Sequence, residues 1–153
     1  RLNGFNNLKP DLIIIDLNMK LKKNLVIFKN NKTKIIIITK NHKYRNISFF
    51  KKKNIKLIYL NSLKSKSDFI ELFMKLKTFG YQRILVESGV IFINSLIKIN
   101  LISNLYLFKA SIKLGKKGKN NASISVIKKI KLQNKIRVNL KGDNLYKLKL
   151  NNV

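Results

Sequence analysis

Apolar residues recur along this chain in short, β-branched blocks set between polar stretches. Five blocks stand out: Leu12-Ile13-Ile14-Ile15-Asp16, the segment 34–39 centred on Ile35-Ile36-Ile37-Ile38, Ile55-Lys56-Leu57-Ile58-Tyr59-Leu60, Arg83-Ile84-Leu85-Val86-Glu87, and Leu105-Tyr106-Leu107-Phe108. Short β-branched runs with polar boundaries read as strands. Their apolar residues are consecutive instead of alternate, which predicts a sheet covered on both faces. Between the third and fourth blocks, Phe69, Leu72, Phe73 and Leu76 repeat at helical spacing. Ser67 or Asp68 can cap that helix, Asp68 and Glu71 have capping-box spacing, and Gly80 supplies the stop. A second helix is expected just after Gly89, carrying Ile91, Phe92, Ser95, Leu96 and Ile99, and a third, shorter one over 123–129. The end of the chain differs. Ile136, Val138 and Leu140 alternate with polar residues, as do Tyr146, Leu148 and Leu150, with Gly142-Asp143-Asn144 between them. That pattern predicts a hairpin with one face in water. The whole reads as one α/β domain with a mixed sheet, flanking helices and an antiparallel C-terminal hairpin.

Composition narrows the classes. A chain of 153 residues with 45% hydrophobic content can bury one ordinary core. No run of eighteen apolar residues marks a membrane span. Without cysteine there is no disulfide, thiolate metal site or cysteine nucleophile in this segment. The single His42 lies in the polar run Lys40-Asn41-His42-Lys43 and reads as a solvated loop residue, so no metal site is expected. The net charge of +28 raises nucleic acid as a partner. Yet lysine supplies almost all of it, the only arginines being Arg1, Arg45, Arg83 and Arg137. Fork-shaped recognition of bases and phosphates favours arginine. The lysines are also scattered, in the manner of an AT-rich genome's codon bias, so the charge reads as a solvated surface that attracts anionic ligands.

Six acids punctuate the chain: Asp11, Asp16, Asp68, Glu71, Glu87 and Asp143. The helix start accounts for Asp68 and Glu71, and a turn for Asp143. Glu87 is different, because it closes an apolar block and is followed by Ser88-Gly89 and a helix. A carboxylate there occupies the ligand crevice at the carboxyl ends of strands in an open α/β sheet. Glycine lets backbone approach a ligand, and first-turn N–H groups favour phosphate. Glu87 could equally be an anion that only complements the helix dipole. Spacing leaves both readings open.

The segment Gly80-Tyr81-Gln82-Arg83-Ile84-Leu85-Val86-Glu87-Ser88-Gly89, continuing through Val90-Ile91-Phe92-Ile93-Asn94-Ser95-Leu96-Ile97, resembles the reductase domain of bacterial riboflavin-biosynthesis deaminase/reductases. The resemblance extends over nearly the whole chain, in order. Pro10-Asp11-Leu12-Ile13-Ile14-Ile15-Asp16 resembles that family's Pro-x-Arg-Val-Val-Leu-Asp strand. Leu101-Ile102-Ser103-Asn104 and the block after it resemble Leu-Val-Asp-Glu and a strand. Lys113-Leu114-Gly115-Lys116-Lys117-Gly118 resembles a Leu-Leu-Gly-Gly-x-Gly loop, and Gly142-Asp143-Asn144-Leu145 a Gly-Asp-Asp turn.

The resemblance implies a dihydrofolate-reductase-like fold that uses NADPH to reduce the ribosyl group of a phosphoribosylamino-pyrimidine to ribityl, in the cytoplasm and as a homodimer. It implies substrate contacts for Glu87 and Arg1. For the cofactor it implies Leu17, Gly89, Val90, Ile91, Phe92, Ile93, Asn94 and Ser95, with no covalent catalyst. Leu17 stands where relatives often have Ser or Arg, so its contact is expected from backbone. Ser88, Ser103-Asn104 and Lys109-Ala110-Ser111-Ile112 depart from the family pattern. The chain opens at Arg1 without an initiator Met, and reads as a single reductase domain lacking its first strand–helix unit and any upstream zinc deaminase domain. The alternatives are a basic RNA-binding module and a dihydrofolate-reductase-like enzyme with another heterocyclic substrate. Against the first, the aromatic residues mostly fall in core-like runs and no aromatic ribonucleoprotein motif is present.

Overall fold

The computed structural model describes residues 10–29, 33–40, 47–53, 55–112, 131–132, 134–138 and 140–150. The chain divides into two compact units, the first ending at Gln82 and the second beginning at Arg83. Among the described residues no helix is long and apolar enough to cross a membrane.

The first unit is built on a parallel sheet of β1 (Leu12–Ile15), β2 (Ile35–Thr39) and β3 (Lys56–Tyr59), with β2 in the centre. Leu12 registers with Ile35, and Ile36 with Lys56. Every residue of β2 is buried. Successive strand residues face opposite sides, so such a run needs cover on both faces. On one side Ile35 and Ile37 join Met19, Phe28, Phe50 and Ile55 in a cluster. Phe28, Phe49 and Phe50 meet there edge to face, with ring centroids 5.2–6.3 Å apart. A 3-10 turn, Val26–Phe28, and the short helix α1 (Ile47–Lys52) carry these aromatics. The sequence pattern did not mark either element, since each is too short to show a helical period.

Helix α2 (Lys66–Thr78) buries Phe69, Leu72 and Leu76 of the predicted stripe and leaves its fourth member, Phe73, half-buried. Its start lies earlier than expected. Ser65, not Ser67 or Asp68, is the N-cap, and Asp68 is the third helical residue. The Ser65 hydroxyl accepts the Asp68 N–H at 3.2 Å, while the Asp68 carboxylate accepts the N–H groups of Ser65 (3.0 Å) and Lys64 (2.8 Å). Glu71 instead pairs with Lys75 at 2.6 Å, and the Lys75 ammonium also donates to the Tyr59 carbonyl at 2.8 Å, tying α2 to the end of β3. At the other end Gly80, at φ +90°, donates to Lys77 O while Tyr81 donates to Leu76 O. These two bonds form the Schellman closure predicted for Gly80.

The second unit holds α3 (Val90–Lys98) and an antiparallel sheet in the order β4 (Asn104–Lys109), β6 (Asn144–Lys149), β5 (Lys135–Ile136). Helix α3 follows Gly89 as predicted, and Asn100 at φ 58° closes it, with Leu101 N–H reaching Leu96 O. The predicted C-terminal hairpin is present, with its tight turn at Lys141-Gly142, both at positive φ, one residue before the expected position. Parallel and antiparallel pairing thus both occur, the α/β class expected. The helix expected at 123–129 and the loop at 113–118 lie outside the described residues.

Two strand expectations need correction. The segment 83–87 forms no ladder among the described residues; Ile84 and Val86 are half-buried while Leu85 is 77% exposed. Its composition suits a strand, but a strand exists only where another supplies hydrogen bonds. The fifth block is a strand, yet not one covered on both faces. Leu105 is buried, whereas Tyr106 and Phe108 are exposed, the alternation of an antiparallel sheet.

Two outcomes follow from this packing. Burial of Thr39 is complete, and among the described residues its hydroxyl has no hydrogen-bond partner. Thr39→Val removes that unsatisfied group at nearly constant shape, so the urea midpoint should rise, by a gain of about 1 kcal/mol; a fall would reveal a partner. At the α2 cap, Ser65→Ala should cost about 1 kcal/mol at neutral pH. The backbone N–H groups of Ser65 and Lys64 hold the Asp68 carboxyl well below its ordinary 3.8. A depressed folded-state pKa gives stability that is present above 3.8 and lost as pH falls toward the folded value. Urea titrations should therefore show a shallower acid loss for Asp68→Asn than for the parent chain.

Candidate functional site

Five of the six acids have structural work. Asp11 accepts a short hydrogen bond from the Tyr81 hydroxyl and pairs with Lys34 at 3.6 Å. Burial, then the bond to Asp11, pushes the Tyr81 phenol up, and the hydrogen bond to Tyr81 raises Lys34. Asp11 and Lys34 immediately precede β1 and β2, so this triad lies at the amino ends of the parallel strands, away from the carboxyl ends where α/β sheets bind ligands. Asp16 accepts the N–H groups of Lys20 at 3.0 Å and Leu21 at 2.8 Å, fixing the loop after β1. Asp68 and Glu71 belong to α2, and Asp143 accepts the Ser111 N–H at 3.0 Å.

Glu87 remains. It is exposed and has neither a hydrogen bond nor an ion pair among the described residues. Nor does it cap the helix that follows. Gly89 is the N-cap, no side chain caps α3, and its first turn contains no acid. Glu87 therefore makes no capping hydrogen bond to α3, although a charge two residues before the N-cap still lies near the helix dipole, so both readings stay open. Gly89 is extended at φ −64°, ψ 158°, and nothing lies within 4 Å of where its Cβ would be. Its carbonyl accepts Phe92 and Ile93 N–H, whereas the amides of Val90 and Ile91 open the helix, where an α-helix has no internal acceptors. Ser88 is exposed, its hydroxyl only 3.4 Å from the Gly89 carbonyl. The geometry is a bare carboxylate two residues ahead of an uncapped, acid-free helix start with open space over a glycine. Such a start attracts an anion through its dipole and N–H groups.

A family model described as "RibD C-terminal domain" matches residues 4–146. The chain belongs to the RibD C-terminal domain family. No curated protein matches it. The family establishes a reductase-type oxidoreductase of riboflavin biosynthesis acting on a pyrimidine. Reductases of this family are generally NADPH-dependent.

Within this RibD-type domain the residues singled out from sequence do not all share one environment. Along α3, Ile91 is 73% exposed, Val90, Phe92 and Ile93 are half-buried, and Asn94 is buried. The Ser95 hydroxyl is bonded back to the Ile91 carbonyl at 3.1 Å. Leu17 belongs to the first unit, directly after Asp16, and its carbonyl already accepts the Lys40 N–H at 3.1 Å. A backbone donor from Leu17 would therefore be its own N–H. Arg1 lies outside the described residues. Lys40, which sequence reading did not single out, ends up beside Leu17 at the carboxyl end of β2; its position after an isoleucine strand was the available signal.

Because Glu87 is exposed and has no hydrogen bond or ion pair among the described residues, Glu87→Gln should leave the urea unfolding midpoint unchanged, within about 0.5 kcal/mol. A larger loss would mean that the carboxylate holds the fold together.

Proposed function

We propose that this chain reduces the ribosyl group of 5-amino-6-(5-phosphoribosylamino)uracil to the ribityl form with NADPH as hydride donor. The family match over residues 4–146 supports the reductase class and the pathway. The observation that carries the site assignment is Glu87, the one acid without a hydrogen bond or ion pair among the described residues, beside the uncapped start of α3.

The start of α3 supports this reading: Gly89 leaves room for a ligand to approach backbone, and no side chain caps the amides of the first turn, which favours a phosphate there. When bound, NADPH supplies the hydride. The remaining contribution of the protein is binding and orientation. Glu87 accepts hydrogen bonds from hydroxyl or ring N–H groups of the substrate. Val90, Ile91, Phe92 and Ile93 present apolar surface along the first turns of α3, which keeps water from the cofactor. The family resemblance adds a backbone cofactor contact at Leu17 and a substrate-phosphate role for Arg1, whose guanidinium chemistry suits that partner.

Removing one charged acceptor from a substrate hydrogen bond costs about 1.5–3 kcal/mol. Steady-state kinetics of Glu87→Ala should accordingly show kcat/KM for the pyrimidine falling roughly 10- to 150-fold, with the dissociation constant for NADPH unchanged. Unaltered kinetics would remove Glu87 from the substrate site.

A further inference from the structure

The antiparallel sheet of the second unit presents an unusual open face. Tyr106 and Phe108 lie two residues apart on β4, on the same side, 48% and 66% exposed. Register places Lys147 opposite Tyr106, Lys149 opposite Asn104 and Leu145 opposite Phe108. The Lys147 ammonium is 5.8 Å from the Tyr106 ring centroid. No acid occurs in β4, β5 or β6, and the only acids of this unit are Glu87 and Asp143, the latter bonded to Ser111. The buried residues Leu105 and Leu148 occupy the opposite side, so the aromatic pair has no part in the core.

We propose that this face binds single-stranded nucleic acid, with Tyr106 and Phe108 as stacking platforms and Lys147 and Lys149 as phosphate partners. Rings at alternate positions of one strand stand about 7 Å apart along it, and sheets with such pairs stack successive unpaired bases. Unstacked bases expose both π-faces; a duplex buries them, so aromatic rings discriminate single strands where lysines alone do not. The lysines also argue against a second copy of the chain here. A two-fold interface built on this sheet would bury Lys147 and Lys149 with no acid on β4, β5 or β6 to pair with them. Composition alone pointed away from nucleic acid because the aromatics were assigned to core-like runs; the alternation on β4 turns two of them outward. None of Tyr106, Phe108, Lys147 and Lys149 is among the residues assigned to the reductase site.

The test is fluorescence anisotropy of the whole chain with a labelled uridine 12-mer and with a 12-base-pair RNA duplex, across a salt series. The single strand should bind at least tenfold more tightly than the duplex. Replacing both rings by leucine, Tyr106→Leu with Phe108→Leu, keeps the apolar area and the charge but removes the stacking faces. That variant should lose about 30-fold or more for the single strand, roughly fivefold or more for each stack, with duplex affinity unchanged. Lys147→Gln should lower the salt slope by about one. Equal affinity for single strand and duplex, or single-strand binding that survives the leucine substitutions, overturns the proposal. The first result would mean charge adsorption alone, the second an apolar docking face for protein or lipid.

Discussion

Complete burial of β2 is the constraint on which the first unit rests. Ile35, Ile36, Ile37, Ile38 and Thr39 are all at or below 6% exposure, so water is excluded from both faces of that strand. Each isoleucine so buried contributes on the order of 1.5–3 kcal/mol, and the arrangement obliges β1 and β3 to flank it. Parallel neighbours require crossovers, and crossovers bring the carboxyl ends of the strands to one edge. There the loop after β1 is clamped by Asp16, and Lys40 N–H meets the Leu17 carbonyl. The edge assigned to cofactor is therefore a consequence of how the isoleucine strand is covered.

Scarcity of acids gives the second unit its chemical character. In a chain with 34 basic and six acidic residues, an unpaired carboxylate is easily neutralised by a neighbouring lysine. Five acids are tied to backbone amides, hydroxyls or lysines. Glu87 instead faces solvent, next to a helix start that no side chain caps. An exposed acid beside a helix start that no side chain caps is complementary to a ligand carrying both hydrogen-bond donors and anionic groups.

Much of this was legible in the residues. The isoleucine blocks marked β1 to β3 because a fully buried strand has an unmistakable composition, and the Phe69, Leu72, Leu76 stripe marked α2. Gly80 and the Gly142 region marked their turns because a positive φ demands those residue types. The N-cap of α2 was missed by one short step, since Ser65, Ser67 and Asp68 are all competent caps and only hydrogen bonds choose among them. The segment 83–87 was misread for a deeper reason. Strand composition is local, whereas a strand's existence depends on a partner that composition does not name. Tyr106 and Phe108 were misread because four apolar residues in a row do not show whether both faces are covered. Glu87 was found from its place ahead of Gly89, but that it lacks a hydrogen bond or ion pair among the described residues is visible only in three dimensions.

Isotope transfer tests the central claim most directly. The complete protein would be supplied with NADPH bearing deuterium at the reactive nicotinamide carbon and with 5-amino-6-(5-phosphoribosylamino)uracil, and the product would be analysed by mass spectrometry. A RibD-type reductase moves one deuterium into the ribityl chain in step with cofactor oxidation. Unconsumed pyrimidine with unoxidised cofactor, from protein shown to be folded, would contradict the assignment.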